Sequence, residues 1–351
     1  MTRTTEVVER ADPKVSVIIV NWNGKVYLKD CLTSVLSQTY PNYEVILVDN
    51  GSTDGSVSLI KESFPEIRLI RLDRNYGFAK ANNIGIEEAL EDKLTEYVAL
   101  LNNDAYVDRR WLEELVTCAE KSENVGMVAS KILFAGLNTI NSVGTIVLKD
   151  GSAAHLGGKE TDRGQYDLIK ETFAPCAAAA LYARRMLEDI GSFDEDFFAY
   201  MEDVDLGWRA RLAGWKCTLA PNARAYHKHS ATSKKHSEFK IYQIERNRVY
   251  LVVKNFPPKY DFASSFHSLH RLIVMYTFRE SVRTEVSRYF ENVPISRIMR
   301  ALLKAWFDAL LSLKKCVRKR KIIQSRKRVS TKAIDKWFLT FSKPIHEVAS
   351  R

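Results

Sequence analysis

Short apolar runs alternate along the first half of the chain with segments whose apolar residues recur at helical spacing. The runs are rich in β-branched residues, as is typical of buried strands. Between them, residues 24–38 and 78–92 repeat apolar positions every three or four residues, which predicts amphipathic helices. This alternation predicts an α/β fold with a mostly parallel sheet flanked by helices. The predicted strands are 15–21, 43–49, 66–72, 96–102 and 125–130.

Polar stretches follow the first four predicted strands directly. Because the carboxyl ends of parallel strands meet at one edge of a sheet, we expect these stretches to line one crevice. The first strand is not followed by a G-x-G-x-x-G turn, and the chain contains no G-x-x-x-x-G-K-[ST] loop. These absences argue against a dinucleotide-dependent oxidoreductase and a P-loop protein. The four stretches are NWNG, DNGSTDGS, DRNYGFAKANN and NNDA.

The net charge of +10 is distributed unevenly along the 351 residues. Residues 259–351 contain 21 Lys and Arg against 7 Asp and Glu, whereas residues 1–258 carry a small excess of acids. Together with the Pro257-Pro258 pair, this shift in charge predicts a boundary. We therefore expect a disordered N-terminus at 1–13, an α/β domain at 14–256 and a basic amphipathic helical region at 257–351.

Sequence composition also bears on the compartment. The chain has no run of about 18 apolar residues, and its first residues, MTRTTEVVERADPK, lack the apolar stretch of a signal peptide. We therefore expect a cytoplasmic protein without a membrane span. The five cysteines are scattered and include no C-x-x-C pair, which argues against a disulfide framework or a zinc site.

Six motifs occur in order between residues 14 and 255. As a set they resemble the inverting family 2 glycosyltransferases with the GT-A fold, especially the rhamnosyltransferase-like branch. The resemblance implies transfer of a sugar, with rhamnose among the candidates, from a uridine or thymidine diphosphate donor to a glycan or lipid-linked acceptor in cell-surface polysaccharide biosynthesis. A sugar-nucleotide-binding protein without turnover is the alternative. The motifs are VSVIIVNWNG, CLTSVLSQTYPNYEVILVDNGSTDGS, NYGFAKANNIGI, LLNND, FFAYMEDVDLGWRARLAGW and ARAYHKHS.

The resemblance assigns donor binding to residues at and after the strand ends. Asp49 would hold the base or ribose of the nucleotide, a task that suits a carboxylate at a strand's carboxyl end. The residues alone leave alternatives open, because Asp49 could cap a turn and Asn75 could cap a helix. The implied donor-binding residues are Val20, Asn21, Asp49, Asn75, Gly77, Asn82, Asn83, Asn103 and Arg246.

The segment LLNND stands where the family carries its metal motif. The resemblance implies that Asp104 and His227 bind Mg²⁺ or Mn²⁺, a hard cation that neutralises the leaving diphosphate. Asn102 and Asn103 stand where a carboxylate is often found, so metal affinity is expected to depend on the donor's phosphates. His227 could instead be a structural histidine, and His229 is a nearby competitor.

Acids crowd residues 202–205 in surroundings that are otherwise apolar. By resemblance, Asp203 is the general base and Glu202 orients the acceptor. Inversion requires one carboxylate to take the proton of the attacking hydroxyl. Crowded acids and apolar neighbours raise the pKa of a carboxylate toward a useful value. The alternative is a helix N-terminus, where acids favour the dipole and Asp205 pairs with Arg209 at i, i+4.

The motif QIERN at 243–247 contains Gln243 and Arg246 of the Q-x-x-R-W pattern found in processive members, but Asn247 stands in place of Trp. Processive members also carry membrane helices, which are not expected here. The pattern therefore favours transfer of a single sugar. Arg246 is either a ligand of the diphosphate or a charge on a helix surface.

The basic region interleaves aromatic and aliphatic residues with Lys and Arg at helical spacing, as in ISRIMRALLKAWFDALLSLKKCVRKR. This pattern is typical of helices on an anionic membrane surface, so we expect residues 259–351 to bind the inner face of the cell membrane peripherally. The alternative is a helical appendage whose apolar face packs on the α/β domain. A third interpretation of the basic region is nucleic-acid binding, but nucleic acid is not expected as a partner.

Overall fold

The computed structural model describes residues 12–228, 237–260 and 293–343. Most of the predicted disordered N-terminus lies outside the described residues, as do His229 and the parts of the basic region at 261–292 and 344–351. Within the described ranges, one 10-stranded sheet forms the centre of the protein and carries the main hydrophobic core.

The first half of the sheet is built from strands that alternate with helices. Its elements are β1 (Lys14–Asn21), α1 (Lys25–Leu36), β2 (Tyr43–Asp49), α2 (Ser56–Ser63), β3 (Arg68–Arg71), α3 (Phe78–Glu91) and β4 (Thr95–Asn102). These strands are parallel, in the order β3-β2-β1-β4. Most residues of β1, β2 and β4 are buried, which explains why these strands appear in the sequence as continuous apolar runs.

The second half extends the same sheet with strands of both directions. Its elements are β5 (Ala105–Val107), α4 (Trp111–Ala119), β6 (Val125–Phe134), β7 (Ile140–Ser142), β8 (Thr145–Val147), β9 (Ala153–His155), β10 (Glu171–Thr172), β11 (Ala179–Ala183), α5 (Arg184–Ile190), a 3₁₀ turn (Glu195–Phe197), α6 (Glu202–Leu212) and β12 (Lys216–His227). The order continues from β4 as β11-β6-β12-β10, with β11 antiparallel and β6 and β12 parallel to β4. Strand β5 pairs with β12 and β7 with β6, whereas β8 and β9 form a separate two-stranded sheet. The predicted α/β fold with a mostly parallel sheet is confirmed.

The register brings the predicted polar stretches to one edge of the sheet. Asn21, the last residue of β1, is paired with Asp49, the last residue of β2. Val20 is paired with Asn102 at the end of β4. The crevice expected from the sequence therefore lies beyond the carboxyl ends of three neighbouring strands.

Four helices complete the described chain: α7 (Glu238–Asn255), α8 (Ile295–Leu311), α9 (Leu313–Ser325) and α10 (Thr331–Thr340). They share a second hydrophobic cluster with α6. The ring of Trp208 in α6 packs at a tilt against Phe256, with ring centroids 4.6 Å apart, and against Phe338 of α10, at 5.7 Å. Part of the basic region therefore packs on the α/β domain, and the boundary at residue 257 stays a prediction.

Helix α8 has two unlike faces. One face buries Ala301, Leu302 and Ala305. The other exposes large apolar side chains, among them Phe307 at 60% and Leu310 at 66%. Among the described residues, no helix combines the length and the apolar character needed to cross a membrane.

Candidate active site

The ends of β1 and β2 are joined by side-chain hydrogen bonds. Asn21 is fully buried and donates from Nδ2 to Asp49 Oδ1 at 3.1 Å and to Ser52 Oγ at 3.1 Å. The second oxygen of Asp49 accepts from the Ser52 amide at 3.0 Å, so Asp49 does cap the turn that follows it. Val20 is half-buried beside them. One carboxylate thus organises the turn, and its role in binding a nucleotide stays a prediction.

Asn50, which no sequence motif had indicated as a site residue, connects the third polar stretch to the same edge of the sheet. Its Nδ2 donates to Asn75 Oδ1 at 3.0 Å and to the Gly77 carbonyl at 3.2 Å, and its Oδ1 accepts from the Tyr76 amide at 2.8 Å. Asn75 Oδ1 also accepts from the Gly77 amide at 2.8 Å. The two predicted donor residues of this loop therefore lie beside the end of β2.

The adjacent asparagines on α3 bond to protein groups. Asn82 donates to the Phe78 carbonyl of its own helix at 2.9 Å. Asn83 donates to the Phe193 carbonyl at 2.9 Å and accepts from the Phe193 amide at 3.0 Å. These bonds make Asn83 a link between α3 and the segment that leads to α6. Contact of either residue with a donor stays a prediction.

The loop after β4 connects to the first strand and to the last. Asn103 is buried and donates from Nδ2 to Asn21 Oδ1 at 2.8 Å. The carboxylate of the next residue, Asp104, lies with Oδ1 3.0 Å from His227 Nε2 at the end of β12. The pairing of β5 with β12 causes this approach, since it sets Ala105 opposite His227. Both predicted metal ligands therefore lie together at the crevice.

Asn141 of β7 orients the imidazole, and no sequence signal pointed to it. Its Oδ1 lies 3.3 Å from His227 Nδ1. A proton on Nδ1 that is donated to this oxygen would leave Nε2 unprotonated, and that is the tautomer in which Nε2 can bind a cation shared with Asp104. Among the described residues, no group of three or more His, Cys, Asp or Glu side chains is arranged to hold a metal. One carboxylate and one imidazole fit a hard cation that takes its remaining oxygen ligands from phosphates and water.

The predicted catalytic acids begin α6. Asp203 Oδ2 accepts from the Ala177 amide at 3.2 Å, and Oδ1 accepts from the Val204 amide at 2.8 Å. The next residue, Ala178, accepts from the Asn102 amide at 2.9 Å, so Asp203 is tied to the end of β4 that carries the metal-motif residues. Glu202 is buried, and its Oε2 has no hydrogen-bond partner within the described residues.

The electrostatic environment of these two acids is unusual. Burial, and next the charge of Asp203, raises the pKa of Glu202 well above its ordinary value. Burial likewise raises the pKa of Asp203, and hydrogen bonds from the Ala177 and Val204 amides partly oppose this shift. The expectation that crowded acids and apolar surroundings raise carboxylate pKa values therefore agrees with the structure in full for Glu202, whereas for Asp203 only burial raises the pKa.

Asp205, two residues further on, points away from this pair. It accepts from Arg209 Nε at 2.9 Å, from Lys254 Nζ at 2.7 Å and from Asn255 Nδ2 at 2.8 Å. The i, i+4 pair expected between Asp205 and Arg209 is confirmed. Asp205 is therefore a structural residue that fastens α6 to α7.

Arg246 contacts the loop before α6. Its Nη2 donates to the carbonyls of Asp196 at 3.0 Å and Phe197 at 3.3 Å, and its guanidinium stacks over the rings of Tyr242 and Tyr250. The half-buried side chain is therefore more than a helix surface charge. A further role for Arg246 at the donor diphosphate stays a prediction.

The strand ends, the adjoining asparagines and the acids of α6 agree with a known family. The family model described as glycosyl transferase family 2 matches residues 16–191, which is half of the chain. The chain belongs to glycosyl transferase family 2. The predicted resemblance to family 2 glycosyltransferases is confirmed.

Two relatives are similar to this chain over somewhat less than two thirds of its length. The O-antigen biosynthesis protein RfbC of Myxococcus xanthus is 32% identical over 233 residues, which span 64% of this chain and 18% of RfbC. The N-acetylglucosaminyl-diphospho-decaprenol L-rhamnosyltransferase of Mycobacterium tuberculosis (strain ATCC 25618 / H37Rv) is 27% identical over 235 residues, which span 62% of this chain and 76% of that protein. The chain thus covers a small part of one relative and most of the other.

Solved structures resemble the fold of this glycosyltransferase at low sequence identity. The crystal structure of GalNAc-T7 with UDP, GalNAc and Mn²⁺ superposes with a TM-score of 0.56 at 18% identity, over 70% of this chain and 48% of GalNAc-T7. At this identity the likeness concerns the fold alone. It agrees with the predicted GT-A architecture, which is confirmed.

Proposed function

We propose that this glycosyltransferase moves one sugar, with inversion, from a nucleoside-diphosphate donor to a glycan or lipid-linked acceptor. The observation that supports this most is the run of hydrogen bonds from Asp49 through Asn21 to Asn103 at the crevice, with the Asp104 and His227 pair beside it. These groups suit a polar, anionic ligand. Asp203 is connected to the end of β4, since it accepts from the Ala177 amide and the adjacent Ala178 carbonyl accepts from the Asn102 amide.

In the proposed reaction the acceptor hydroxyl attacks the anomeric carbon from the face opposite the diphosphate. A bond forms between the hydroxyl oxygen and that carbon, the bond from the carbon to the phosphate oxygen breaks, and the nucleoside diphosphate leaves with the electron pair. Asp203 takes the hydroxyl proton as general base. The amides of Ala177 and Val204 aim its carboxylate, and its raised pKa increases its basicity.

Glu202 is assigned to acceptor orientation. Its Oε2 is buried and has no partner within the described residues, and an unsatisfied buried polar atom is costly. A second hydroxyl of the acceptor sugar would satisfy it. This contact would fix the face that the acceptor presents to Asp203.

Asp104 and His227 are assigned to a bound Mg²⁺ or Mn²⁺, which would neutralise the charge that develops on the leaving diphosphate. Asn141 would hold the imidazole in the ligating orientation. The structure described for GalNAc-T7 contains Mn²⁺ together with UDP, which supports this assignment by analogy of fold.

The donor is assigned to the uridine or thymidine diphosphate class, with rhamnose as the leading sugar. The name of the M. tuberculosis relative supports rhamnose, and the UDP in the GalNAc-T7 structure is one instance of a pyrimidine nucleotide bound by this fold. Asp49 is proposed to hold the base or ribose. The remaining proposed donor contacts are Val20, Asn21, Asn75, Gly77, Asn82, Asn83, Asn103 and Arg246.

The test is the melting temperature of the full chain with UDP, dTDP, GDP or CDP, each with and without Mg²⁺ or Mn²⁺. A ligand at about 100 times its Kd stabilises the folded state by about 2.7 kcal/mol. We expect a metal-dependent shift with UDP or dTDP, reduced in Asp49→Asn. Asp92→Asn is the matched control, because Asp92 pairs with Lys14 at the opposite ends of the strands.

Turnover separates an enzyme from a binding protein. With the sugar nucleotide of the preferred class, we expect release of the nucleoside diphosphate that rises with added acceptor glycan. A metal-dependent melting shift without any release would favour the non-catalytic sugar-nucleotide-binding protein. Failure of every nucleotide to shift the melting temperature would contradict both functions.

We also propose that the exposed face of α8 binds anionic lipid at the inner face of the membrane. Phe307 and Leu310 project beside basic residues such as Arg300 and Lys304, an arrangement suited to a charged interface. The full chain should co-sediment with vesicles containing phosphatidylglycerol and not with phosphatidylcholine alone. The double variant Phe307→Ser, Leu310→Ser should lose most of this binding.

The matched control for the membrane test is Leu137→Ser combined with Leu168→Ser, since both leucines are exposed in the α/β domain. It should sediment like the unmodified chain. Equal sedimentation of the α8 double variant and the unmodified chain would contradict membrane binding through α8.

A further inference from the structure

The loop that leads into α6 has an unusual backbone. Phe198, Tyr200 and Met201 have positive φ angles of 60°, 68° and 71°. Bulky residues avoid this region, and they persist there where the surrounding structure imposes it, frequently at functional sites. Met201 directly precedes Glu202 and Asp203, so the conformation of this loop determines where the two acids project.

Asn247 of α7 holds this loop from one side. Its side chain is fully buried, and Nδ2 donates to the carbonyls of Phe197 at 2.9 Å, Ala199 at 2.9 Å and Tyr200 at 2.7 Å. Three carbonyls share the two protons of one amide group. The chain places an asparagine where the processive pattern has Trp, and Trp has a single N–H to donate.

Arg246 fixes the orientation of that amide. Its guanidinium donates to Asn247 Oδ1 from Nε at 3.1 Å and from Nη2 at 3.0 Å. Since Oδ1 faces the guanidinium, Nδ2 must face the loop carbonyls. The same guanidinium donates to the Asp196 carbonyl at 3.0 Å.

The start of α3 holds the loop from the other side. The Ala79 amide donates to the Phe198 carbonyl at 3.1 Å. A Cβ at Gly77 would lie 2.6 Å from the same carbonyl oxygen, so glycine permits the approach. Together with the Met201 carbonyl, which accepts from the Asp205 amide of α6, every carbonyl from residue 196 to residue 201 is hydrogen-bonded.

We propose that Asn247 is a positioning residue for sugar transfer, whose amide holds loop 197–201 in the conformation that aims Asp203 at the acceptor. This inference rests on the proposed function of Asp203 as the base. Asn247 does not touch the reacting atoms. It acts through the loop, and it joins the C-terminal helices to the chemistry of the α/β domain.

The experiment compares Asn247→Ala and Asn247→Ser with the unmodified full chain. Serine retains one donor and alanine retains none, so kcat for nucleoside diphosphate release should fall in the order Asn, Ser, Ala. A misplacement of the base by about 1 Å lowers the rate by about 10²-fold. A fall in kcat smaller than about 10²-fold would still support the proposal if the order Asn, Ser, Ala holds. The KM for the sugar nucleotide should stay within about twofold, because the donor loops remain in place.

The control is Asn255→Ala. Asn255 is also fully buried on α7, and it donates to Asp205 and to the Leu251 carbonyl instead of the loop. Its loss should lower the melting temperature and leave kcat and the pH profile unchanged. In the Asn247 variants the acidic limb of kcat against pH should move to lower pH, because water that enters beside Asp203 lowers its pKa.

Hydrogen exchange gives a readout independent of turnover. Amides of residues 198–204 should exchange faster in both Asn247 variants than in Asn255→Ala. Unchanged kcat, or a fall in kcat with an unchanged pH profile and unchanged exchange, overturns the positioning role while the proposed function stands. If the unmodified chain releases no nucleoside diphosphate from any donor, the proposed function fails first. If Asn247→Ala does not fold, the kcat of Asn247→Ser and the hydrogen exchange of its amides at residues 198–204 test the proposal.

Discussion

The first turn of α6 carries acids of two kinds within four residues. On the crevice side, Glu202 and Asp203 are not paired with any cationic side chain of the described residues, and burial raises the pKa of each. On the side that faces α7, Asp205 contacts both Arg209 and Lys254. Burial alone would raise the pKa of Asp205, but the charges of these two residues hold it below its ordinary value.

Position relative to cationic side chains therefore distinguishes the proposed catalytic acids from the structural Asp205. Lys254 also pairs with Asp194 at 2.5 Å, and Lys319 of α9 pairs with the same carboxylate. The network thus extends from α6 to the basic C-terminal helices. Glu202 and Asp203 lack such partners among the described residues, which is consistent with the proton-transfer role proposed for Asp203.

The largest expected effect is on the crevice side. Asp203→Asn removes the proposed base with little change in shape, so the transfer rate should fall by about 10²- to 10⁴-fold, while the melting temperature stays close to that of the unmodified chain. The measurement is steady-state release of nucleoside diphosphate at saturating donor. Transfer at the unmodified rate would remove Asp203 from the mechanism.

For Asp205, which is paired with Arg209 and Lys254, a substitution should mainly lower stability. Asp205→Asn leaves the charges of Arg209 and Lys254 incompletely compensated in a buried site, so the free energy of unfolding should fall by about 3–5 kcal/mol. Urea unfolding of the full chain measures it. Glu202→Gln is the matched variant on the crevice face, and because no cation depends on Glu202 it should cost less than about 1 kcal/mol. An equal decrease in the free energy of unfolding in Asp205→Asn and Glu202→Gln would contradict the inferred difference between the two acids.

The smallest effect is a difference in pH dependence. The pKa values of Asp194 and Asp205 are lowered in the fold, so their contribution to stability is present above about pH 4 and is lost as the pH falls through the folded values. Those of Glu202 and Asp203 are raised, so their contribution is present below about pH 4 and is lost as the pH rises through the folded values. The two pairs therefore act in opposite directions.

Urea midpoints from pH 3 to pH 8 measure this difference. Stability should be greatest in mildly acidic solution, and Glu202→Gln should flatten the decline toward neutral pH while leaving the acid loss in place. A stability curve with the same slope in Glu202→Gln and in the unmodified chain would argue against a raised pKa for Glu202.

The elements of the first half could be predicted closely from the sequence. The predicted strand 43–49 coincides with β2, and the predicted strands 15–21 and 96–102 differ from β1 and β4 by one residue. Buried parallel strands are continuous apolar runs bounded by turn residues, so the signal is local. The adjacency of Asp104 and His227 was also expected, through the family motifs, and the pairing of β5 with β12 explains it.

Other site residues carried no local signal. Asn50 lies inside a turn-rich stretch, and its amide could serve many purposes there. Asn141 contacts a histidine 86 residues later in the chain. Asn247 was noted as a departure from the processive pattern, but its three loop carbonyls belong to a segment about 50 residues earlier, and no periodicity relates them.

The order of strands and helices along the chain, the polar residues at the strand ends and the crowding of acids at residues 202–205 follow from the sequence alone. Which of these acids have a cationic partner among the described residues depends on the tertiary structure. Lys254 reaches Asp205 from 49 residues away, on a helix whose packing against α6 no local pattern encodes. Carboxylate pKa values depend on burial and on charges a few ångströms distant, and such distances exist only once the chain has folded.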